Sequence, residues 1–120
     1  MPLTDLDLGG TQVADLSTLK GMKLTTLKCH KTPVSDLTSL TGMPLTSLNL
    51  LGCPKLHDLS SLKGMNLSEI RLTPQNFTKD SLEVLRECKS LKTIIVGEKA
   101  SDVLAAQDFW KKVDAGEFKP

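Results

Sequence analysis

The sequence repeats itself with a period of 21 to 22 residues, and this repeat constrains the fold more than any other feature. Four methionines open four units of similar sequence: Met1, Met22, Met43 and Met65. A unit of this length is one supersecondary element that cannot bury its apolar side chains alone. Consecutive units stacked about 4.8 Å apart bury them continuously. The repeat therefore predicts a stacked array rather than a sandwich or a barrel.

The first part of each unit has the pattern Leu-x-x-Leu-x-Leu. Its members are Leu3, Leu6, Leu8; Leu24, Leu27, Cys29; Leu45, Leu48, Leu50; and Leu67, Ile70, Leu72. The last two apolar positions alternate with polar residues, as in a short half-buried strand. We therefore expect one strand per unit, and a fifth, final strand within residues 91–96.

The second part of each unit predicts one tight turn. Leucines spaced three apart indicate a single 3₁₀ or α turn: Leu16/Leu19, Leu37/Leu40 and Leu59/Leu62. An aspartate precedes each turn and is placed to cap its free N–H groups: Asp15, Asp36 and Asp58. A glycine ends each turn, where a positive φ is often needed. Thr11, Thr32 and Cys53 share the position after the strand, from which they are expected to bond backbone groups of the stack.

The fourth unit diverges after Leu72, and the array is expected to end there in a helical cap. Thr78 or Ser81 is placed to cap a helix with one apolar face. That face is Leu82, Leu85 and Cys88. Ser101 is placed to cap a last helix. Its apolar stripe is Val103, Ala106, Trp110 and Val113.

These motifs resemble those of the leucine-rich repeat family. The motif Leu45-x-x-Leu48-x-Leu50 matches the family signature, and the turn Asp-Leu-Ser-x-Leu is similar to the bacterial, internalin-like variety. The resemblance covers about residues 1–96 as four repeats and a terminal strand, and residues 97–120 are similar to C-terminal helical caps in the same domain. It implies an α/β solenoid with a curved parallel sheet on the concave side and turns or 3₁₀ segments on the convex side. The family commonly has Asn after the strand, where this chain has Thr11, Thr32, Cys53 and Gln75.

Strand side chains that do not face the core are expected to line the concave surface, which is the usual binding surface of the family. By register they form rows. One row is Asp5, Thr26, Ser47, Glu69 and Thr93; the next is Asp7, Lys28, Asn49, Arg71 and Ile95; the third is Gly9, His30, Leu51, Thr73 and Gly97. The candidate binding residues are Asp5, Asp7, Lys28, His30, Lys31, Asn49, Leu51, Glu69, Arg71 and Ile95. The alternative is a solvated polar face without a ligand.

Leu51 and Ile95 interrupt the polar pattern of these rows. Each is a candidate interface anchor, because apolar side chains at the centre of an interface carry much of its binding energy. For Ile95 the other interpretation is a residue covered by the last helix. The sequence leaves both interpretations open.

Charge and composition argue against two classes of partner. The chain has 15 Lys and Arg against 14 Asp and Glu, a formal net charge of +1. We therefore expect no nucleic acid and no membrane partner. No apolar stretch reaches the roughly 18 residues that cross a bilayer, and no signal peptide is evident. With three widely spaced cysteines, these features predict a reducing, cytoplasmic location.

No residue set predicts catalysis, a cofactor or a metal. Cys29-His30 and Cys53-x-x-x-His57 contain soft metal ligands. By register Cys29 faces the core, His30 the rim and His57 the turn on the other side, so they do not converge. The same geometry disfavours a Cys–His nucleophile pair. The paired carboxylates of the first strand face solvent, without the burial that tunes a catalytic acid.

We therefore expect a non-catalytic protein–protein interaction module that binds a protein of unknown identity through the concave face, within a larger scaffold or signalling protein. Two alternatives stay open. One is a structural or oligomerisation segment that self-associates through its N-terminal repeat. The other is a regulatory appendage of a bacterial enzyme such as a kinase.

The N-terminal unit carries no recognisable cap. Met1 occupies the same repeat position as Met22, so the leucines of the first unit lack a neighbour on one side. An uncovered apolar repeat end and an open strand edge invite association. We expect that the chain is the C-terminal piece of a longer array, or that this end docks on another chain.

Overall fold

A computed structural model describes residues 4–118 and contains one sheet of six short strands. The strands are β1 Asp5–Asp7, β2 Thr26–Lys28, β3 Ser47–Asn49, β4 Glu69–Arg71, β5 Thr93–Ile95 and β6 Val103–Ala105. The first five pair in parallel and in chain order, and β6 pairs with β5 in antiparallel orientation. The result is an α/β fold with a mostly parallel sheet.

The register of the parallel strands follows the sequence repeat. Their central residues pair in the order Leu6, Leu27, Leu48, Ile70 and Ile94. All except Leu6, which is half-buried on the edge strand, are buried. The predicted strands of the four units are therefore confirmed, and Leu3 lies outside the described residues.

The predicted turns are also present. The 3₁₀ turns cover Ser17–Leu19, Thr38–Leu40 and Ser60–Leu62. Before each of them, Oδ1 of Asp15, Asp36 or Asp58 accepts a 2.8 Å hydrogen bond from the backbone N–H two residues later. Gly21, which ends the first turn, has a φ of 85°, a conformation that side chains with a Cβ rarely adopt. Turn leucines and strand leucines form one contiguous core.

Side chains that follow the strands donate hydrogen bonds to backbone carbonyl groups, as predicted, but in the fourth unit a different residue from the expected one does so. Oγ1 of Thr32 donates to the carbonyl oxygen of Cys29 at 2.7 Å, and Sγ of Cys53 donates to the same oxygen at 3.0 Å. The fourth member was expected to be Gln75, but Gln75 is exposed. Asn76 replaces it, and its Nδ2 donates to the carbonyl oxygen of Cys53 at 3.3 Å. The shift arises because Pro74–Asn76 forms a 3₁₀ turn immediately after β4.

Helix α1 spans Lys79–Arg86 as predicted. Thr78 rather than Ser81 is its cap, since Thr78 Oγ1 accepts the backbone N–H of Ser81 at 3.2 Å. The expected apolar residues Leu82, Leu85 and Cys88 are all buried, but Cys88 was predicted to lie on the helix and instead lies two residues beyond its end.

The C-terminal segment differs from the expectation. Strand β5 is not the last, because Val103–Ala105 forms β6 after a 3₁₀ turn at Ala100–Asp102. The free edge of β5 offers backbone groups that a further strand satisfies: Val96 N–H donates to Asp102 O at 2.9 Å, and Ala106 N–H donates to Lys92 O at 2.9 Å. This pairing replaces the predicted helix start at Ser101.

Helix α2 spans Ala106–Asp114. The predicted stripe is wrong at its first member, since Val103 lies on β6 and is 50% exposed. Phe109 and Val113 are the buried residues of α2, and Trp110 is half-buried. Neither α1 nor α2, nor any other helix within residues 4–118, is long and apolar enough to cross a bilayer.

Candidate binding face

Polar and charged side chains cover the sheet face opposite the core. They alternate with the buried central residues because successive side chains of a strand point to opposite faces. The strand register aligns Asp7 with Lys28, Lys28 with Asn49, and Asn49 with Arg71. Arg71 aligns in turn with Ile95. The first two rows predicted from the repeat are therefore rows of the sheet, and we call this surface, with the loop residues directly after its strands, the polar face.

An open cavity of about 460 Å³ lies on the polar face. Nine of the ten candidate binding residues border it: Asp7, Lys28, His30, Lys31, Asn49, Leu51, Glu69, Arg71 and Ile95. Asp5, on the edge strand, does not border it. Ser47 and Glu98 also contribute side chains to its rim. The fold thus brings the predicted residues of five strands to one concavity.

Asn49 occupies the middle of the polar face and is held by two polar contacts. Its Oδ1 accepts the backbone N–H of Leu51 at 3.1 Å. Its Nδ2 lies 3.3 Å from Nδ1 of His30. The His30 ring stands against the backbone of Gly9, where a Cβ would lie 2.1 Å from the ring. The absence of a side chain at Gly9 therefore allows His30 to reach Asn49.

The cavity carries three acidic and three basic side chains. They are Asp7, Glu69 and Glu98 against Lys28, Lys31 and Arg71. Two of the acids are held by neutral donors: Glu69 Oε1 accepts from Ser47 Oγ at 2.7 Å, and Asp7 Oδ1 accepts from the backbone N–H of Gly9 at 2.8 Å. Among residues 4–118, neither Lys28 nor Arg71 has a carboxylate oxygen within 4.0 Å. The two cations therefore keep their capacity for an external anion.

Lys31 and Glu98 form an ion pair at the rim of the cavity. The Lys31 side chain passes Gly52, where an added Cβ would lie 3.3 Å from Lys31 Cγ, and its Nζ lies 3.1 Å from Glu98 Oε1. The pair connects the loop after β2 with the loop after β5. Both side chains are more than half exposed, so the pair contributes little to stability.

Glu98 was not predicted as a site residue. The sequence nevertheless contained a signal for it. His30 and Gly97 belong to the third predicted row, and Lys31 and Glu98 directly follow them, so these two residues also occupy equivalent positions of the repeat.

The two apolar candidates also border the cavity. Ile95 is only 8% exposed, yet it is not part of the contiguous core that contains Ile94 and Phe109. Leu51 is half-buried. Ile95 gives the β5 end of the cavity an apolar lining, whereas Leu51 follows β3 in the middle of the sheet.

The cysteines near the polar face are not arranged for chemistry. Burial, together with the nearby Cys53 and Asp7, raises the pKa of the Cys29 thiol to about 12. Cys29 therefore stays protonated at neutral pH and is a poor nucleophile. His57 Nδ1 lies 2.8 Å from the carbonyl oxygen of Asn76. Within residues 4–118, no group of three or more His, Cys, Asp or Glu side chains is placed to hold a metal ion.

Compared with known proteins, the chain matches neither a protein-family model nor a curated protein sequence. Its function must therefore be inferred from the polar face itself. The relevant features are balanced charge, two cations without counter-ions among residues 4–118, a positioned asparagine and an apolar end.

Proposed function

We propose that this chain is a segment of a leucine-rich repeat solenoid whose polar face binds a protein partner. The strand motif, the aspartate-capped turn and the positive-φ glycine recur in three successive units and support the family resemblance. Strand β6 and helix α2 then serve as the C-terminal cap. The three cysteines are free and buried thiols, which suits a reducing compartment such as the cytoplasm.

The single observation that carries the binding proposal is the pair of cations Lys28 and Arg71 beside the cavity. Arg71 is half-buried and Lys28 exposed, and neither has a carboxylate within 4.0 Å among the described residues. A partly desolvated charge gains most from a partner that supplies its counter-ion. The acidic side chains of a protein segment supply this counter-ion. Nucleic acid would also require a strong net positive charge on the chain, whose formal net charge is only +1.

The proposal excludes a catalytic step within the polar face. The Cys29 thiol is buried and protonated at neutral pH, and His30 contacts an amide rather than a nucleophile. General acid–base catalysis needs a titratable group within hydrogen-bond reach of a nucleophile or substrate. The geometry instead fits a recognition surface.

Selection from a displayed peptide library tests the proposal. Peptides enriched on the wild-type chain are expected to lose most of their affinity for the double variant Lys28→Glu/Arg71→Glu, because two attractive charges become repulsive. The matched control is Lys20→Glu/Lys63→Glu, which reverses two exposed lysines at the ends of 3₁₀ turns. Equal binding to the wild type and to both variants would show that the polar face is not the binding surface.

One observation favours self-association as a second function. Leu6 and Leu8 of the first unit are half-buried, whereas Leu27 and Cys29 at the same repeat positions are fully buried. Strand β1 forms one edge of the sheet, and exposed edges promote strand pairing between chains. Light scattering over a concentration series tests this alternative, and a monomer at every concentration contradicts it. The regulatory-appendage interpretation stays a prediction.

A further inference from the structure

We propose that the polar face recognises an extended seven-residue segment with basic, acidic, acidic and aliphatic side chains at its first, third, fifth and seventh positions. The inference rests on the proposed binding function and specifies the chemistry of the partner. It derives from the order and spacing of one row of side chains.

The middle row of the polar face has an asymmetric order of charges. Five side chains on five consecutive strands form it: Asp7, Lys28, Asn49, Arg71 and Ile95. All five border the same cavity. From β1 to β5 the row therefore presents an anion, a cation, a neutral amide, a cation and an apolar side chain. Charge complementarity requires the reverse signs in the partner.

The spacing of this row matches an extended chain that crosses the strands. Neighbouring strands lie about 4.8 Å apart, so four strand intervals span roughly 19 Å. An extended segment rises about 3.3 Å per residue, so its first and seventh residues lie roughly 20 Å apart. Side chains on one side of the segment then fall at Asp7, between Lys28 and Asn49, at Arg71 and at Ile95.

The atoms available in the row fit these four side chains. Asp7 uses Oδ1 for the backbone of Gly9, which leaves Oδ2 for a basic side chain. Lys28 and Arg71 lack counter-ions among the described residues, and the Arg71 fork pairs with a carboxylate in bidentate fashion. At the far end, Ile95 of β5 lines the cavity with apolar surface that favours an aliphatic side chain.

The flanking charged and polar groups have their own contacts and do not compete with the middle row. Glu69 is held by Ser47, and His30 contacts Asn49. The remaining charges of the cavity, Lys31 and Glu98, pair with each other. Recognition is therefore assigned to the middle row. We expect the partner segment to carry this pattern either from its N-terminus to its C-terminus or in the reverse order.

Four fluorescein-labelled peptides test the pattern by fluorescence anisotropy. The matching peptide is Lys-Ser-Glu-Ser-Glu-Ser-Leu, also made in reverse order, and the charge-inverted peptide is Glu-Ser-Lys-Ser-Lys-Ser-Leu. The scrambled peptide, Lys-Glu-Ser-Ser-Ser-Glu-Leu, keeps the composition but moves both acids off that face. The wild-type chain is expected to bind the better matching peptide about tenfold more tightly than the charge-inverted and scrambled peptides, because each of these loses at least two of the three exposed ion pairs.

A triple variant makes the test specific. Asp7→Lys/Lys28→Glu/Arg71→Glu inverts the charges of the row and is expected to prefer the charge-inverted peptide. The variant is expected to fold because all three positions lie on the surface. Circular dichroism checks this expectation. Equal binding of the matching and scrambled peptides by the wild type would overturn the inference.

The library selection separates failure of this inference from failure of the proposed function. If selected peptides depend on Lys28 and Arg71 but lack the pattern, the polar face binds a different segment and only this inference is wrong. If no selected peptide depends on them, both the inference and the proposed function are wrong.

Discussion

Residues 5–72 and residues 73–118 both add strands to the same sheet, but they cover its core differently. In the first region each unit supplies leucines to a core shared with its neighbours, and each turn is fixed by one aspartate. The second region instead uses the helices α1 and α2 and contains no further copy of that turn among the described residues.

The second region depends on aromatic side chains and specific charges. Phe109 is fully buried, with the Trp110 ring 4.8 Å away edge-on and the Phe118 ring stacked at 5.3 Å. The Arg86 guanidinium of α1 lies 4.5 Å above the Trp110 ring of α2 and 3.0 Å from Asp114. These contacts tie the two helices together.

The difference shows what a terminal element requires. A repeating unit relies on the next unit to cover its apolar side chains, so its stability is distributed over equivalent contacts. Among the described residues, the segment after β4 has no further copy of the unit beside it, and its core is covered instead by the bulk and contacts of α1 and α2. Stability is therefore expected to concentrate at a few residues in residues 73–118.

The largest expected effect is the loss of the Phe109 ring. Phe109→Ala is expected to lower the free energy of unfolding by about 3–5 kcal/mol, because it leaves a cavity where a fully buried ring stood. Leu48→Ala, at the centre of the sheet, is the matched change in the repeating region and is expected to cost about 2–5 kcal/mol. Urea denaturation followed by circular dichroism measures both.

The number of unfolding transitions of each variant tests whether the two regions unfold together. Because the core is contiguous from Leu16 to Val113, each variant is expected to unfold in one transition. If Phe109→Ala melts α1 and α2 while the amides of β2 and β3 stay protected from hydrogen exchange, the two regions are independent units.

The repeating region was predictable because every inference there had three independent copies. The strands, turns, capping aspartates and rows of the polar face follow from the period alone. The same period placed nine of ten candidate residues around the cavity. Asp5 does not border the cavity, although Asp7 of the same strand does.

The C-terminal region was less predictable because it has no repeat to fix its register. The spacing of Val103, Ala106, Trp110 and Val113 fits one helix face, but the free edge of β5 captures residues 103–105 as a strand. Sequence spacing also did not distinguish Phe109 from Trp110 as the buried ring. Lys31 and Glu98 share one row of the repeat, but they lie three strands apart, and the row alone does not indicate that their side chains meet.

A smaller effect is expected where the two helices are joined by charge. Arg86→Met is expected to lower the free energy of unfolding by about 1 kcal/mol, mainly through loss of the contact with Trp110. The exposed ion pairs with Glu83 and Asp114 add little. Arg86 Nε, which is buried and finds no partner among the described residues, already reduces what the arginine contributes.

Lys79→Met is the matched control for Arg86→Met. Lys79 Nζ lies 3.6 Å from the same Asp114 carboxylate, but its side chain is 61% exposed. We expect its loss to change the free energy of unfolding by less than about 0.5 kcal/mol. Equal effects of the two substitutions would show that the aromatic contact is not what joins α1 to α2.

The smallest expected effect is a pH dependence whose cause differs between the two regions. Hydrogen bonds from the backbone of Thr38 and Ser60 lower the pKa values of Asp36 and Asp58 below the usual 3.8, whereas Arg86 lowers the pKa of Asp114. Because the folded-state pKa values are lowered, this stabilisation is fully present above pH 3.8 and is lost as the pH falls through them. The double variant Asp36→Asn/Asp58→Asn keeps the oxygen atoms that accept the hydrogen bonds but has no carboxyl group to titrate at these positions. Its urea midpoint should therefore fall less steeply than that of the wild type as the pH decreases below 3.8. In the Arg86→Met variant, the urea midpoint should keep the pH dependence due to Asp36 and Asp58 and lose the part of the Asp114 dependence that Arg86 causes. If the urea midpoint changed equally with pH in the wild type and in both variants, neither the aspartates of the turns nor Asp114 would cause the pH dependence.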